Sequence, residues 1–245
     1  MTDTGRDEAT DAAVPTRASR GRRLRLVVAG VLTVALVLLV GIAVGRLSSP
    51  NPVTPGTESV EAGFSRDMQV HHEQAVQMAM IVRERTDDPA VRSLAYDIAL
   101  TQSQQAGQMF AWLELWSLPQ APSEPTMTWM SRPTLDGAYG DHEHEATTAG
   151  GTGGTATPVA THEPGGRMPG LATDDQLAAL QAASGVEAER LFLTLMIAHH
   201  RGGVEMADAI LARSDVRQVR VFATGMVQSQ ESEITAMQEM LAERE

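Results

Sequence analysis

Residues 64–113 recur 128 positions further on without a gap, and this repetition restricts the possible folds of the 245-residue chain more than any other feature. Phe64, Met68, His71, His72, Val76, Met78 and Ala79 return as Phe192, Met196, His199, His200, Val204, Met206 and Ala207. The match continues at Arg85/Arg213, Asp87/Asp215, Val91/Val219, Arg92/Arg220, Ala95/Ala223, Gln102/Gln230, Met109/Met237 and Leu113/Leu241, making 15 identities. Unrelated segments of ordinary composition would share about three or four. Whatever the first segment folds into, the second repeats, and stacked copies bury faces that neither can bury alone.

Each copy reads as a helical hairpin. Phe64, Met68, Ala75, Ala79 and Val82 form one stripe at helical spacing, which predicts a helix over about 62–85. Val91, Ala95, Ile98, Met109, Trp112 and Trp116 fit an alternating four–three spacing and predict a second helix over about 89–116. Between them, Thr86-Asp87-Asp88-Pro89 supplies a capping Asp and a Pro suited to a first helical turn. Ser214-Asp215 is expected to cap in the second copy, and Thr173 or Asp174 to cap a short helix over Asp175–Ser184. With 42% hydrophobic but only 4% aromatic residues, the core is built from Ala, Val, Leu, Ile and Met. The fold class is all-α, and a four-helix bundle is the simplest way to bury all four stripes.

An uncharged run from Leu26 to Gly45 precedes the repeats and is 20 residues long, the length that crosses a bilayer core as a helix. Arg17, Arg20, Arg22, Arg23 and Arg25 stand before it, so the positive-inside rule keeps residues 1–25 in the cytoplasm and sends the rest across the cytoplasmic membrane. A cleaved signal peptide is the competing reading, but its apolar stretch is usually ~7–15 residues. Residues 1–25 carry six Arg against Asp3, Asp7, Glu8 and Asp11, a balance of +2; the total is −12, so the remainder carries −12 − 2 = −14. That acidity argues against a nucleic-acid partner. Arg supplies every fixed positive side chain, which together with the Ala and Gly content points to a bacterial genome of high GC content. The chain has no Cys, which excludes disulfides, thiolate metal sites and Cys nucleophiles. The expected organisation is a cytoplasmic tail over 1–25, a single membrane helix over 26–45, a tether over 46–60, a first hairpin over 61–118, a Pro-, Gly- and His-containing linker over 119–172, and a short helix with the second hairpin over 173–245.

Four of the seven His form the two His-His pairs. Neighbours on a helix do not face one another, so each ring needs partners from another helix. Reflection about the turn near 87–88 places Gln102 and Gln105 at the level of the first pair, and Gln230 and Glu233 at the level of the second. All four stand where a seam would be apolar. The expectation is one polar layer: His71, His72, His199 and His200, with Gln102, Gln105, Gln230 and Glu233 orienting the rings as second partners of metal-ligating histidines do. Met68, Met78, Met196 and Met206 adjoin it, and imidazole with thioether suits copper, Met favouring Cu(I). The competing uses are a layer that only fixes bundle register and core-filling methionines. His142, His144 and His162, with Met127, Met130 and Met168, lie in the linker, where Asp141-His142-Glu143-His144 is a second, looser candidate for a divalent ion.

These motifs resemble a known family. Phe64, Asp67-Met68, His71-His72, Ala75-Val76, Met78-Ala79, Gln102, Gln105, Met109 and Trp112-Leu113 look like the first half of the domain-of-unknown-function 305 family. Met168-Pro169-Gly170-Leu171, Gly185, Phe192-Leu193, Met196-Ile197, His199-His200, Gly203-Val204 and Met206-Ala207 look like its second half. The resemblance covers about 62–243 and implies a ferritin-like four-helix fold, with copper binding in exported members. Leu171 departs from the pattern, standing where a second Met is common. The expected function is a membrane-anchored extracytoplasmic His/Met protein for copper binding, storage or resistance, and a binding protein rather than an enzyme. Two alternatives stay open: a helical interaction module with a structural polar layer, and a dinuclear-metal redox enzyme. The latter would want Glu-x-x-His on facing helices, which the bundle segments lack.

Overall fold

The computed structural model describes residues 17–48, 54–137 and 163–244. The described residues are helices and loops, in two compact units over 1–53 and 54–245. In the first unit, α1 runs Arg17–Ser48. Its stretch Arg25–Gly45 is 21 residues long and apolar enough to cross a membrane by length and composition. The side chains along it are exposed, and the Thr33 hydroxyl donates back to the Ala29 carbonyl at 2.9 Å, so the one polar side chain after Arg25 is satisfied within the helix.

The second unit holds α2 (Val60–Arg85), α3 (Pro89–Leu115), a 3-10 turn (Thr128–Ser131), α4 (Asp174–Ala182), α5 (Gly185–Leu211) and α6 (Arg217–Ala242). Ser59 caps α2, accepting from the Ala62 amide at 3.2 Å. Asp88 caps α3 through the Val91 amide at 2.8 Å, with Pro89 in the first turn. Thr173 and Gln176 form a reciprocal capping box on α4. Such caps contribute about 1 kcal/mol each. The second hairpin departs from expectation: Val216, without a side-chain cap, precedes α6, and the Ser214 hydroxyl instead accepts from the Val216 amide and donates to the Glu61 carboxylate at 2.6 Å.

α2 packs on α3, α5 packs on α6, and the two pairs meet along α2 and α5. The buried apolar side chains divide into two clusters. One joins Ala75, Met78, Ala79 and Val82 to Phe192, Leu193, Met196 and Ile197. The other joins Phe64 and Met68 to Met206, Ala207 and Ile210. The start of α2 therefore lies by the end of α5, and the two helices cross antiparallel. Full burial of each Phe, Met or Leu contributes ~1.5–3 kcal/mol.

Polar ties join the pairs at places 128 residues apart. Ser214 donates to Glu61, and Thr86 donates to Glu189. The Arg92 guanidinium holds the Arg83 and Thr86 carbonyls at the end of α2, and Arg220 holds those of Leu211 and Ser214 at the end of α5. Arg244 reaches Glu189 at 2.7 Å and Asp88 at 3.3 Å, fastening the end of the chain to the first hairpin.

Both described flanks of the segment 119–172 carry packed structure. Trp129 is buried edge-on against Phe64, with ring centroids 5.6 Å apart. The Asp67 carboxylate accepts from the Met127 amide at 2.7 Å and from the Trp129 indole at 2.9 Å. Arg66 donates to the Pro119 and Thr57 carbonyls, each at 2.8 Å. The same strap bonds the second hairpin, because Arg213 donates to the Arg132 carbonyl at 2.8 Å and the Leu135 amide to the Ala212 carbonyl at 2.9 Å. Met127, Met130 and Met168 all pack in the second apolar cluster. The stretch 138–162, with His142, His144 and His162, lies outside the described residues.

Candidate metal centre

His71 and His72 on α2, and His199 and His200 on α5, are fully buried between the two apolar clusters. The α2–α5 crossing brings His71 and His199 together, with ring centroids 3.8 Å apart. His72 and His200 lie to either side, 6.3 Å and 6.2 Å from their chain neighbours. Each of the outer rings faces its own hairpin partner. The His72 Nε2 meets the Gln105 Oε1 at 2.8 Å, and the His200 Nε2 meets the Glu233 Oε2 at 2.6 Å. The inner rings bond main chain: His71 Nε2 to the Pro169 carbonyl at 2.9 Å, and His199 Nε2 to the His71 carbonyl at 2.8 Å.

All four partners are oxygens that accept, so each ring carries its proton on Nε2. Burial holds His71, His72 and His199 neutral. It pushes His71 down to about 4 and His72 to about 3, against 6.5 for an ordinary histidine. Burial also drives His199 well below that value. A neutral ring protonated at Nε2 has a bare lone pair at Nδ1. In all four rings Nδ1 is buried without a hydrogen-bond partner, an arrangement that costs about 1–3 kcal/mol per group when nothing answers it. Gln102 and Gln230 are buried at the same level. The Gln102 Oε1 and both amide atoms of Gln230 also lack partners. Met68 and Met206 sit in one adjoining cluster, Met78 and Met196 in the other, all fully buried. Among the described residues, no three His, Asp or Glu side chains already converge as ligands.

A loop over Met168–Ala172 covers the layer. Gly170, at φ +73°, rests on the Ala198 carbonyl and the His199 backbone, and Gly202 of α5 lies against Pro169; a Cβ at either would meet main chain. Gln74 fixes the loop with two bonds to Ala172, at 2.6 and 3.0 Å.

The sequence profile of the family described as Domain of unknown function (DUF305) matches residues 61–241. The chain belongs to the DUF305 family. No curated protein matches it. Among solved structures, this DUF305 chain is 45% identical to a protein of Streptomyces coelicolor described as a secreted DUF305 protein, covering 77% of this chain and 96% of that one with a TM-score of 0.62. It is 30% identical to a DUF305 fragment from Deinococcus radiodurans, covering 77% and 99% with a TM-score of 0.55. CopM in its Cu(I)-bound form shares the fold at 20% identity, covering 76% and 96% with a TM-score of 0.50.

Sequence reasoning missed three parts of this DUF305 layer and its supports. The Pro169 carbonyl partners His71 through main chain, which side-chain identity does not reveal. Asp67 stands in the family motif with no role assigned by the sequence, yet it anchors Met127 and Trp129. Glu61 and Glu189 are themselves 128 apart, so extending the repeat three positions upstream would have found the cross-ties.

Proposed function

We propose that this chain is a membrane-anchored, extracytoplasmic copper-binding protein, suited to copper storage, buffering or resistance. On this reading α2, α3, α5 and α6 form a ferritin-like four-helix bundle from a duplicated hairpin, and the buried histidine layer is the metal site. The observation that carries it is the set of four buried Nδ1 atoms without a partner, on rings whose Nε2 protons are held by acceptors. That is how metal-ligating histidines are held, their other nitrogen bonded to a carbonyl, amide or carboxylate that fixes the ring and raises its basicity. His71, His72, His199 and His200 would hold the metal, and Met68, Met78, Met196 and Met206 add thioethers on both sides; imidazole with thioether selects copper. CopM, with which the chain shares its fold, has Cu(I)-bound and Cu(II)-bound forms, which makes copper the first metal to test. The exposed apolar stretch Arg25–Gly45 supports the anchor. The basic residues before it orient the chain with its N-terminus inside.

The test is copper affinity of the full chain in detergent. Changing His71 and His199 together to Ala is expected to weaken copper binding by about 10-fold or more, as loss of direct ligands should at least match the ~10–100-fold effect of losing their outer partners. The comparison is made on variants that keep the helical circular-dichroism signal. Unaltered copper binding after replacement of His71, His72, His199 and His200 would remove the layer from the function and leave it a packing device.

A further inference from the structure

The two halves of the layer are not chemically equal. In one, the outer ring of His72 donates to a neutral amide, Gln105 Oε1 at 2.8 Å; in the other, at the place 128 residues later, His200 donates to a carboxylate, Glu233 Oε2 at 2.6 Å. Both rings are fully buried, while Glu233 keeps about a quarter of its side chain exposed and so retains its hydration in part. A second difference lies beside it. Gly203 of α5 stands where α2 has Ala75, and the Gln230 amide occupies the room that the missing methyl leaves: a Cβ there would lie 3.0 Å from the amide nitrogen and closer still to its oxygen. Both polar atoms of Gln230 are buried without partners, against only Oε1 of Gln102 in the other half.

We infer that Glu233 makes the layer two sites of unequal strength, with the His200 half taking copper first and the His72 half filling as a weaker reserve. This rests on the copper reading above. A cation bound at Nδ1 draws electron density from the ring and makes its Nε2–H a stronger donor. A carboxylate answers that change with a charge-assisted bond, roughly twice as strong as a neutral one, and also offsets the charge of the ion. The Gln105 amide offers only its dipole. Ligand for ligand the halves match, so the difference in affinity comes from the second partner of the ring, whose replacement typically changes metal affinity by ~10–100-fold.

The experiment titrates the full chain in detergent with Cu(I), under anaerobic conditions against a chromophoric chelator, and separately with Cu(II). Two steps about 10-fold or more apart are expected. Glu233→Gln should weaken the tighter step to the level of the weaker one and leave the weaker one in place. Gln105→Glu should tighten the weaker step, and the double exchange should restore two unequal steps. His200→Ala should remove the tight step from the unaltered background, and His72→Ala the weak one. Glu233→Gln is nearly isosteric, and its thermal unfolding confirms that the domain stays folded. A tight step unmoved by Glu233→Gln in a folded protein overturns this inference while leaving copper binding intact. An unaltered chain that holds no copper at all overturns both.

Discussion

A buried imidazole has two ring nitrogens to satisfy, and the four rings of the layer treat them identically. Nε2 meets an oxygen, and Nδ1 is left without a partner. Holding His71 and His72 neutral makes stability depend on pH, with a definite sign. Above 6.5 neither the folded nor the unfolded chain protonates His71 or His72. As pH falls from 6.5 toward about 4, the unfolded chain takes up protons that folded His71 and His72 refuse, so stability present at neutral pH is lost through that window. Each tenfold difference in proton affinity between the folded and unfolded chain is worth ~1.4 kcal/mol, and in a domain of this size 1 kcal/mol moves Tm by ~2–4 °C. Metal-free protein is therefore expected to lose about 5 °C or more in Tm between pH 7 and pH 4.5, followed by circular dichroism. The slope should be shallower in His72→Gln, which removes one of the reluctant bases; equal slopes in the two proteins would mean that the ring is not held neutral.

Where backbone approaches backbone, the elements are positioned by what is missing from them. Gly202 lets the Pro169 turn lie on α5, and a Cβ there would meet main chain that cannot swing aside. Gly202→Ala should cost about 1–3 kcal/mol, the usual range for overpacking, and loosen the carbonyl that receives the His71 proton. Gly225, on an exposed stretch of α6 with nothing within 4 Å of an added Cβ, gives the contrast. Gly225→Ala should stabilise by about 0.5–1 kcal/mol, and thermal melts of the two variants should move in opposite directions. The helices were legible because their apolar period is long and repeated: 62–85 was expected where α2 runs Val60–Arg85, and 89–116 where α3 runs Pro89–Leu115. Reflection about a short turn puts Gln102, Gln105, Gln230 and Glu233 at the level of the rings but does not say which of them bond: Gln105 and Glu233 hold the outer rings, while the Gln102 oxygen and the Gln230 amide have no partner. The strap was not legible, because Trp129 and Met127 are held by one carboxylate, Asp67, whose partners lie 60 and 62 residues away. Composition reports such a stretch as loop, and only the contact shows it packed. The Ser214 cap failed for a related reason: its hydroxyl is committed to Glu61 of the other hairpin, which no local pattern records.

At the scale of the whole chain, the cluster Arg17, Arg20, Arg22, Arg23 and Arg25 just before the apolar run predicts, for the proposed anchor, an N-terminus inside and the bulk of the chain outside. A phosphatase that is active only outside the cytoplasm, fused after Glu245, should be active, and a fluorescent protein that matures only inside should be dark; the reverse pattern would overturn the topology. The crossing of α2 and α5 carries a different consequence. His71 lies against His199, Glu61 receives from Ser214 as Glu189 receives from Thr86, and each such pair exchanges partners at an offset of 128. Two surfaces that meet by swapping equivalent residues are isologous, the relation that ordinarily joins identical subunits across a dyad. Each hairpin thus presents a self-complementary face, and covalent linkage frees the two faces to diverge. Only within one chain can Glu233 stand on one side of the dyad and Gln105 on the other, whereas a homodimer of hairpins would have to carry the same residue twice.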